Sequence, residues 1–518
     1  MRERRGIPAF AVLGLCVLAA GTVAAELQNI QVGGSIEIWG NYYTPFYEEG
    51  DTIRIPADFL PRRPIGADGA VSGIRADGSG NSAAWVEQRT TLNVSADFTN
   101  EVSVFIELDS IDDWGEDFRS NYITGADSRA NSSDDLEVYQ AYIEVRELLD
   151  MPLQLRIGRQ ELIFGSEWLV GNNFWHDPLS YLSFDAVRLT YAPDDFSVDV
   201  WWSKLAERGS LEEDGDVDFY GVYASYTGIE NLVVDAYWLW LRDGASLNDT
   251  NYIAPTEWLE DVFGLDDYDV TNIHTVGLRA AGEVGAFDYE AEVAYQWGDA
   301  SQQGFLFKPF TYGDNDAEFG NWAGNLTLGY TFDVAWSPRV YVGGEYYGGE
   351  DERDLSLFEW LNPFERSDAS VSFNRLFTTW ESDWFLDGGS LSNYYNLKTG
   401  VSAQPFEKLE VGLDVLYMAV LDGFERPASV KIGNFLVPIA PALSFWDEGG
   451  PSDLGYAAIL WGAYQYSEDV SFEAGWEHFF TGSALEQGAF SNAYGLGFLN
   501  SVDDDDGDYF YLGTKICF

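Results

Sequence analysis

The strongest constraint on the fold is an alternation of apolar and polar residues that recurs in segments of about ten residues. In the first clear example, Leu92, Val94 and Ala96 alternate with polar residues, Asn100 turns the chain, and the pattern resumes at Val102. Successive side chains of a strand point to opposite faces, so one face of each segment suits lipid and the other suits water. No later stretch has the roughly 18 consecutive apolar residues of a membrane helix. If this chain crosses a membrane, it does so as a closed barrel of strands.

The number and spacing of these segments predict how such a barrel is built. Eighteen segments are counted, at residues 30–43, 85–98, 102–109, 137–146, 153–164, 184–192, 197–204, 218–227, 232–242, 273–282, 287–298, 322–332, 339–348, 394–403, 408–418, 455–466, 470–480 and 509–518. An even number of strands places both termini on the same side of the membrane. Short connections alternate with long ones, as in outer-membrane barrels, which have short periplasmic turns and long extracellular loops. We therefore predict an all-β, transmembrane antiparallel β-barrel of about 18 strands in the bacterial outer membrane.

The composition excludes several other classes of protein. The chain has 86 Asp and Glu against 28 Lys and Arg, a formal charge of -58 that does not suit a nucleic-acid binder. Aromatic residues make up 16% of the chain, which excludes a disordered chain or a coiled coil. Most acids fall in long connections, including residues 45–84, 243–272, 349–393 and 421–453. We interpret these connections as solvated outer loops that could hold divalent cations beside lipid headgroups, and we expect no other cofactor.

The N-terminus has the pattern of a segment that is removed. Residues 1–25 combine three arginines, an apolar run and small residues at 23–25, which predicts a secretory signal peptide. A membrane anchor is the alternative, but glycines interrupt the apolar run. The remaining residues 26–518 are predicted to form one barrel domain, whose single cysteine, Cys517, leaves no internal disulfide.

The last segment ends on an aromatic residue. Phe510, Leu512, Thr514, Ile516 and Phe518 share one face, and the printed sequence stops there. The pattern resembles the terminal strand by which outer-membrane proteins are delivered to their assembly machinery. We therefore expect that machinery, and outer-membrane lipid, to be partners of this chain.

Residues for catalysis or metal binding are scarce. His176, His274 and His478 fall in separate segments without metal-ligand spacing. The acidic run around Asp503 lacks the spacing of an EF-hand loop, and no nucleophile or phosphate-binding motif is present. The sequence therefore predicts neither an enzyme nor a metal centre.

The basic residues within the segments are more informative, because a charge facing lipid at the membrane centre costs roughly 2 to 4 kcal/mol. By alternation, the polar face carries Arg89, Arg156, Arg188, Arg279 and Lys398, with Glu87, Glu290, Glu292 and Glu345 among its acids. We predict that these residues line a water-filled pore. Strict alternation points Arg159 outward, so either a bulge near Gly158 changes the register or Arg159 lies at the rim. The arginines could select anionic or hydroxyl-rich solutes, or they could neutralise neighbouring carboxylates; both interpretations stay open.

Several short motifs resemble the alginate export family of outer-membrane porins. They are Glu87-Gln88-Arg89, Arg156-Ile157-Gly158-Arg159-Gln160-Glu161-Leu162, Phe184-Asp185-Ala186-Val187-Arg188-Leu189 and His274-Thr275-Val276-Gly277-Leu278-Arg279, followed by Glu292 and Asn396-Leu397. The resemblance implies a monomeric 18-stranded barrel that lets an acidic polysaccharide leave the cell. It also implies that Arg89, Arg156, Arg159, Arg188 and Arg279 contribute to an arginine-rich lumen.

We therefore expect a passive outer-membrane channel, whose preferred cargo is an anionic, alginate-like polysaccharide or oligosaccharide. One alternative is a general or nutrient-uptake porin with a preference for cations. Another is the barrel component of a larger envelope complex, such as a cytochrome conduit. If a loop folds inward, residues 349–393 are the most favoured source, because the turns at the other end are short.

Overall fold

A computed structural model of the chain describes residues 28–45, 82–98, 101–114, 136–172, 181–207, 216–244, 270–299, 318–349, 355–362, 370–386, 392–421, 429–433, 435–438, 451–486 and 506–518. The predicted signal peptide, His176 and most of the acidic loop residues lie outside these ranges. Within them, no helix is long and apolar enough to cross a membrane.

The architecture is a closed antiparallel β-barrel of 18 strands, as the alternation predicts. The strands are β1 Gln28–Thr44, β2 Ala83–Asp97, β3 Val102–Asp113, β4 Glu137–Val145, β5 Leu153–Gln160, β6 Phe184–Tyr191, β7 Phe196–Ala206, β8 Val217–Ile229, β9 Leu232–Asp243, β10 Thr271–Val284, β11 Phe287–Asp299, β12 Trp322–Thr331, β13 Arg339–Tyr347, β14 Tyr394–Phe406, β15 Leu409–Val420, β16 Asp453–Gln465, β17 Val470–Thr481 and β18 Gly507–Cys517.

The first and last strands close the barrel. β1 pairs with β2 on one side and with β18 on the other, with Ile36 opposite Ile516 and Tyr43 opposite Tyr509. Two backbone hydrogen bonds of 3.0 Å between Gly34 and Phe518 extend this seam to the last residue. Closure leaves neither terminal strand with an unpaired edge, which is the condition for a sheet to lie in lipid.

The two faces of the barrel wall differ in polarity, as the alternation of apolar and polar residues predicts. On β2, Leu92 and Val94 are 46% and 38% exposed, whereas Arg89 and Thr91 are 6% and 4% exposed. The same contrast recurs around the barrel, with apolar side chains outside and polar or aromatic ones inside. On the outer face near the long-loop end, His274 lies beside Trp238, Trp240 and Trp297, with ring centroids 5.3 to 5.9 Å apart. Such aromatic girdles mark the membrane interface of barrels.

The connections between the barrel strands contain short helices and short strands. The turn between β4 and β5 contains a 3-10 helix, Leu148–Asp150, and the long connections contain helices Leu357–Leu361 and Ser483–Glu486. Ser429–Ile432 pairs with Leu355–Ser356 and Phe435–Pro438, which joins the connection after β13 to the one after β15. Glu318–Phe319 pairs with the end of β11 and with Ser370–Val371.

Two connections from the long-loop end fold into the barrel. We name residues 161–172, between β5 and β6, the first lumen segment, and residues 370–386, between β13 and β14, the second lumen segment. Their apolar side chains include Trp168, Phe373 and Phe377, which are at most 1% exposed. The inward position of 370–386 agrees with the expectation for residues 349–393, whereas the inward position of 161–172 was not expected. The assignment of all long connections to the outer surface was therefore wrong for these two.

Candidate functional site

The candidate site is the inner wall of the barrel together with the two lumen segments. On β2, Arg89 contacts Asp109 of β3, with Nη2 and Oδ2 3.1 Å apart. Its guanidinium also lies 4.7 and 4.0 Å from the ring centroids of Tyr139 and Tyr181. Burial raises the pKa of the Tyr181 hydroxyl to about 12, so this ring is neutral at physiological pH. Arg89 is therefore held by one carboxylate and two aromatic faces.

Arg156 and Arg188 are directly opposite each other on β5 and β6. Like charges in this arrangement repel each other, so each requires a carboxylate nearby. Arg156 binds Glu144, with Nη2 and Oε2 2.7 Å apart, and Arg188 binds Asp199, with Nε and Oδ1 2.8 Å apart. Glu144 also accepts a hydrogen bond from Arg146 at 2.8 Å.

Arg279 has three acidic partners on the inner wall. Its Nη1 lies 2.8 Å from Oδ2 of Asp235, and its Nε lies 2.9 Å from Oε1 of Glu290 and 4.0 Å from Oε2 of Glu292. Tyr237 donates a hydrogen bond of 2.7 Å to Glu292. The three carboxylates around one guanidinium leave this part of the wall with excess negative charge.

The remaining predicted inward residues are also in polar contacts. Lys398 lies 3.4 Å from Asp414, and Glu87 accepts a hydrogen bond from Trp85. Glu345 accepts hydrogen bonds from Tyr347 at 2.7 Å and from Asn396 at 3.1 Å. The structure thus places these side chains on the inner wall, in separate pairs around it rather than in one arginine ring.

Arg159 requires a correction, because it does not line the lumen. The pairing of β5 with β4 and β6 runs through Gly158 without a register shift, so Arg159 shares the outward face of Ile157. Gly158 has a φ of 128°, and a Cβ there would lie 2.2 Å from the carbonyl oxygen of Ala141. Arg159 pairs on the surface with Asp185, through two contacts of 2.9 Å. The bulge alternative is therefore wrong, and Arg159 lies on the outer face, one residue before the end of β5.

Sequence reasoning missed two further ion pairs on the inner wall. Arg339 of β13 donates from Nε to Asp288 of β11 at 2.9 Å. Lys515 of β18 lies 3.3 Å from Glu37 of β1, across the closing seam. Alternation places both cations on the polar face of their segments, and that signal could have found them.

The two lumen segments bind each other and the wall. Val170 and Phe377 form a parallel bridge, with Phe377 N donating to Leu169 O at 3.0 Å and Gly171 N donating to Phe377 O at 2.8 Å. Trp168 donates from Nε1 to the Tyr347 hydroxyl at 2.7 Å. The segments therefore narrow the lumen at the level where they meet.

Buried polar contacts fix the second lumen segment in this position. Arg375, which is fully buried, lies 4.4 Å over the Tyr347 ring. The Gln296 side chain of β11 donates to the carbonyl oxygen of Asn374 at 2.7 Å and accepts from the Asn374 amide at 2.8 Å. Near β17, the carboxylate of Glu477 accepts from the Trp384 amide at 3.1 Å. These contacts anchor the segment to two separate parts of the wall, at β11 and at β17.

A family model described as alginate export matches residues 74–491 of this chain. The chain belongs to the alginate export family. Family membership and the closed 18-stranded barrel identify it as a channel of the bacterial outer membrane. The match spans all the wall arginines discussed above, so the alginate export resemblance found in the sequence is confirmed.

Solved structures with a similar fold include OccAB1 of Acinetobacter baumannii, at 10% identity over 94% of this chain and 97% of that chain, with a TM-score of 0.48. OccK11 (OpdR) of Pseudomonas aeruginosa is 8% identical over 94% of this chain and 96% of that chain, with a TM-score of 0.45. OmpT, an outer membrane protein of Vibrio cholerae, is 9% identical over 95% of this chain and 99% of that chain, with a TM-score of 0.37. No curated protein matches the chain.

Proposed function

We propose that this alginate export family member is a narrow diffusion channel that prefers cations and small neutral solutes over anions. The observation that carries the proposal is the charge of the inner wall. Arg89, Arg156, Arg188, Arg279 and Lys398 each have a carboxylate within ion-pair distance. Glu87, Glu107, Glu345, Glu473 and Glu477 add further carboxylates to the same face. A solute inside the described part of the barrel therefore meets excess negative charge.

Passive export of an anionic, alginate-like polysaccharide is the second candidate, and family membership is the observation that favours it. For this function the arginines must exchange their carboxylate partners for those of the passing polymer. The two lumen segments must also leave a continuous path wide enough for a sugar chain. The ion pairs and the packing of the segments support the first candidate over this one.

Ion selectivity in planar bilayers separates the two candidates. We expect the purified full-length protein, held across a potassium chloride gradient, to give a reversal potential of the sign for cation preference, and short uronate oligomers to leave the current unchanged. Anion preference with block by these oligomers would overturn the proposal and support polyanion export.

A matched pair of variants tests whether the wall sets this preference. Glu473→Gln removes an exposed carboxylate from the inner face of β17, and we expect it to lower the cation preference. Asp185→Asn removes a carboxylate from the outer face of β6 and should leave the reversal potential unchanged. Equal effects of the two variants would show that the measured preference does not arise in the lumen.

A further inference from the structure

Three neighbouring strands place one side-chain amide between two carboxylates, with one carboxylate on each side. Asn325 of β12 is directly opposite Glu292 of β11 and Glu345 of β13. Directly opposite residues in antiparallel strands have Cβ atoms about 5 Å apart on the same face. We call Glu292, Asn325 and Glu345 the acidic row. It faces inward, beneath the two lumen segments.

Asn325 is the unusual member of the acidic row. It is 6% exposed, yet neither its side-chain oxygen nor its side-chain nitrogen has a hydrogen-bond partner. By contrast, Asn396 on the other side of Glu345 donates to Glu345 at 3.1 Å and to Ser382 at 2.7 Å. A buried amide without partners has lost its hydrogen bonds to water and gained none in exchange, which destabilises the folded state. Native proteins seldom retain such a group unless a water, an ion or a ligand satisfies it.

The charges around the acidic row do not balance. Asp235, Glu290, Glu292 and Glu345 are the neighbouring carboxylates, and Glu292 has a side chain only 5% exposed. The guanidiniums nearby are those of Arg279, which contacts the first three carboxylates, and Arg375, which lies over the Tyr347 ring. Among these six side chains, the carboxylates outnumber the guanidiniums by two. Buried excess charge is costly unless a counter-ion or a proton neutralises it.

Both lumen segments supply hydroxyl groups to the acidic row. Ser166 of the first segment donates to Glu292 at 3.4 Å, and Ser382 of the second donates to Glu345 at 3.1 Å. Trp168 reaches Glu345 indirectly, because its indole donates to the Tyr347 hydroxyl, which donates to Glu345 at 2.7 Å. A ligand at the acidic row would therefore lie where the wall and both segments meet.

We propose that the acidic row binds one divalent cation, with the chemistry of calcium. Carboxylate, amide and hydroxyl oxygens are the ligands that calcium accepts in flexible geometry, whereas magnesium demands a stricter octahedron. The ion neutralises the two excess charges and gives the Asn325 oxygen a partner. Among the described residues, no three His, Cys, Asp or Glu side chains form a metal-binding group. The proposed site instead combines two carboxylates with the Asn325 amide. The proposal goes beyond the solute preference of the pore and does not depend on it.

Titration of calcium into the chelator-treated, full-length protein in detergent tests the site. We expect binding that falls by on the order of tenfold or more in Glu345→Gln and in Asn325→Leu, as for the loss of a metal ligand or its support. Asp185→Asn, a surface carboxylate change of the same type, should bind as the parent protein does. Terbium provides a second readout, since Trp168 is positioned to sensitise its luminescence. Equal calcium binding and terbium luminescence in all four proteins would overturn the proposal.

Asn325→Asp makes the test independent of simple damage to the fold. A cation site gains a charged ligand, so we expect tighter calcium binding and a calcium-dependent rise in the melting temperature. If a water or a proton satisfies the row instead, the added carboxylate only increases the repulsion. Calcium binding no tighter than in the parent protein, with a lower melting temperature at every calcium concentration, would also overturn the proposal.

Discussion

At the residue scale, the inner and outer arginines have different roles although both form ion pairs. The side chains of Arg279 and Asp235 are 12% and 1% exposed, and theirs is a pair inside the barrel. The side chains of Arg159 and Asp185 are 44% and 55% exposed, and theirs is a surface pair. Removing one partner of a buried pair leaves the other charge buried and uncompensated, which destabilises the folded state. At a surface, solvent screens the charge that remains, so the loss of stability is small.

We therefore predict that Arg279→Gln destabilises the barrel by roughly 3 to 5 kcal/mol. The matched surface change Arg159→Gln should cost about 0 to 1 kcal/mol. Urea unfolding of both variants in the same lipid or detergent measures the difference. Similar midpoints for the two variants would contradict the assignment of Arg279 to a buried network.

Alternation alone could place single residues on a face but could not pair them. Strict alternation pointed Arg159 outward, and the unbroken register at Gly158 agrees with it. The partners of Arg156 and Arg188 depend on which residues are opposite each other in neighbouring strands. That register is set by turn geometry and packing around the whole barrel, which local sequence does not encode.

At the element scale, the two lumen segments distinguish this barrel from an open cylinder. They are connections by sequence, yet they are rich in buried aromatic residues. Phe164 stacks on Trp201 at 4.5 Å between centroids, and Trp384 stacks on Tyr509 at 4.0 Å. Such side chains are unusual in solvated loops, and this composition was the available signal for 161–172. Its inward position rests on contacts between distant parts of the chain, which the alternation does not specify.

Replacing residues 372–385 by a short glycine-serine linker tests the role of the second lumen segment. We expect the barrel to form, because the wall strands on either side, β13 and β14, still pair with each other. We also expect a severalfold higher single-channel conductance, because the segment that narrows the lumen is gone. Heat-modifiable migration on gels verifies that the barrel forms. Replacement of residues 429–432, of which Val430 and Lys431 pair with Leu355 and Ser356, is the control and should change conductance less. Unchanged conductance without 372–385 would contradict a narrowing role.

At the scale of the whole molecule, the barrel depends on closure by its last strand. β18 pairs with β17 and with β1, so its loss creates two unpaired edges in lipid. We predict that a chain ending at residue 506 fails to assemble into a heat-modifiable barrel in the outer membrane. Cys517→Ser, an exposed change in the same strand, should assemble normally. Assembly of the truncated chain would contradict this account of closure.

The fold was easier to predict than the pairing of individual residues, because every strand repeats the same two-residue alternation. An error in one predicted segment changes little when 18 segments support the same barrel. The predicted segment 184–192 differs from Phe184–Tyr191 by one residue. The predicted segment 153–164 extends beyond Leu153–Gln160, since the apolar residues after Gln160 begin the first lumen segment. Apolar periodicity does not distinguish a strand facing lipid from a segment buried inside the barrel.

The meeting of the two lumen segments inside the barrel is the central claim, and a disulfide between positions 170 and 377 tests it most directly. Val170 and Phe377 are bridge partners, within the reach of a disulfide. In a chain with Cys16 and Cys517 replaced by serine, we expect Val170→Cys and Phe377→Cys to cross-link under mild oxidation in native membranes. A folded, heat-modifiable barrel that forms no cross-link, while a pair placed at the wall partners Val200 and Val222 does, would contradict the account.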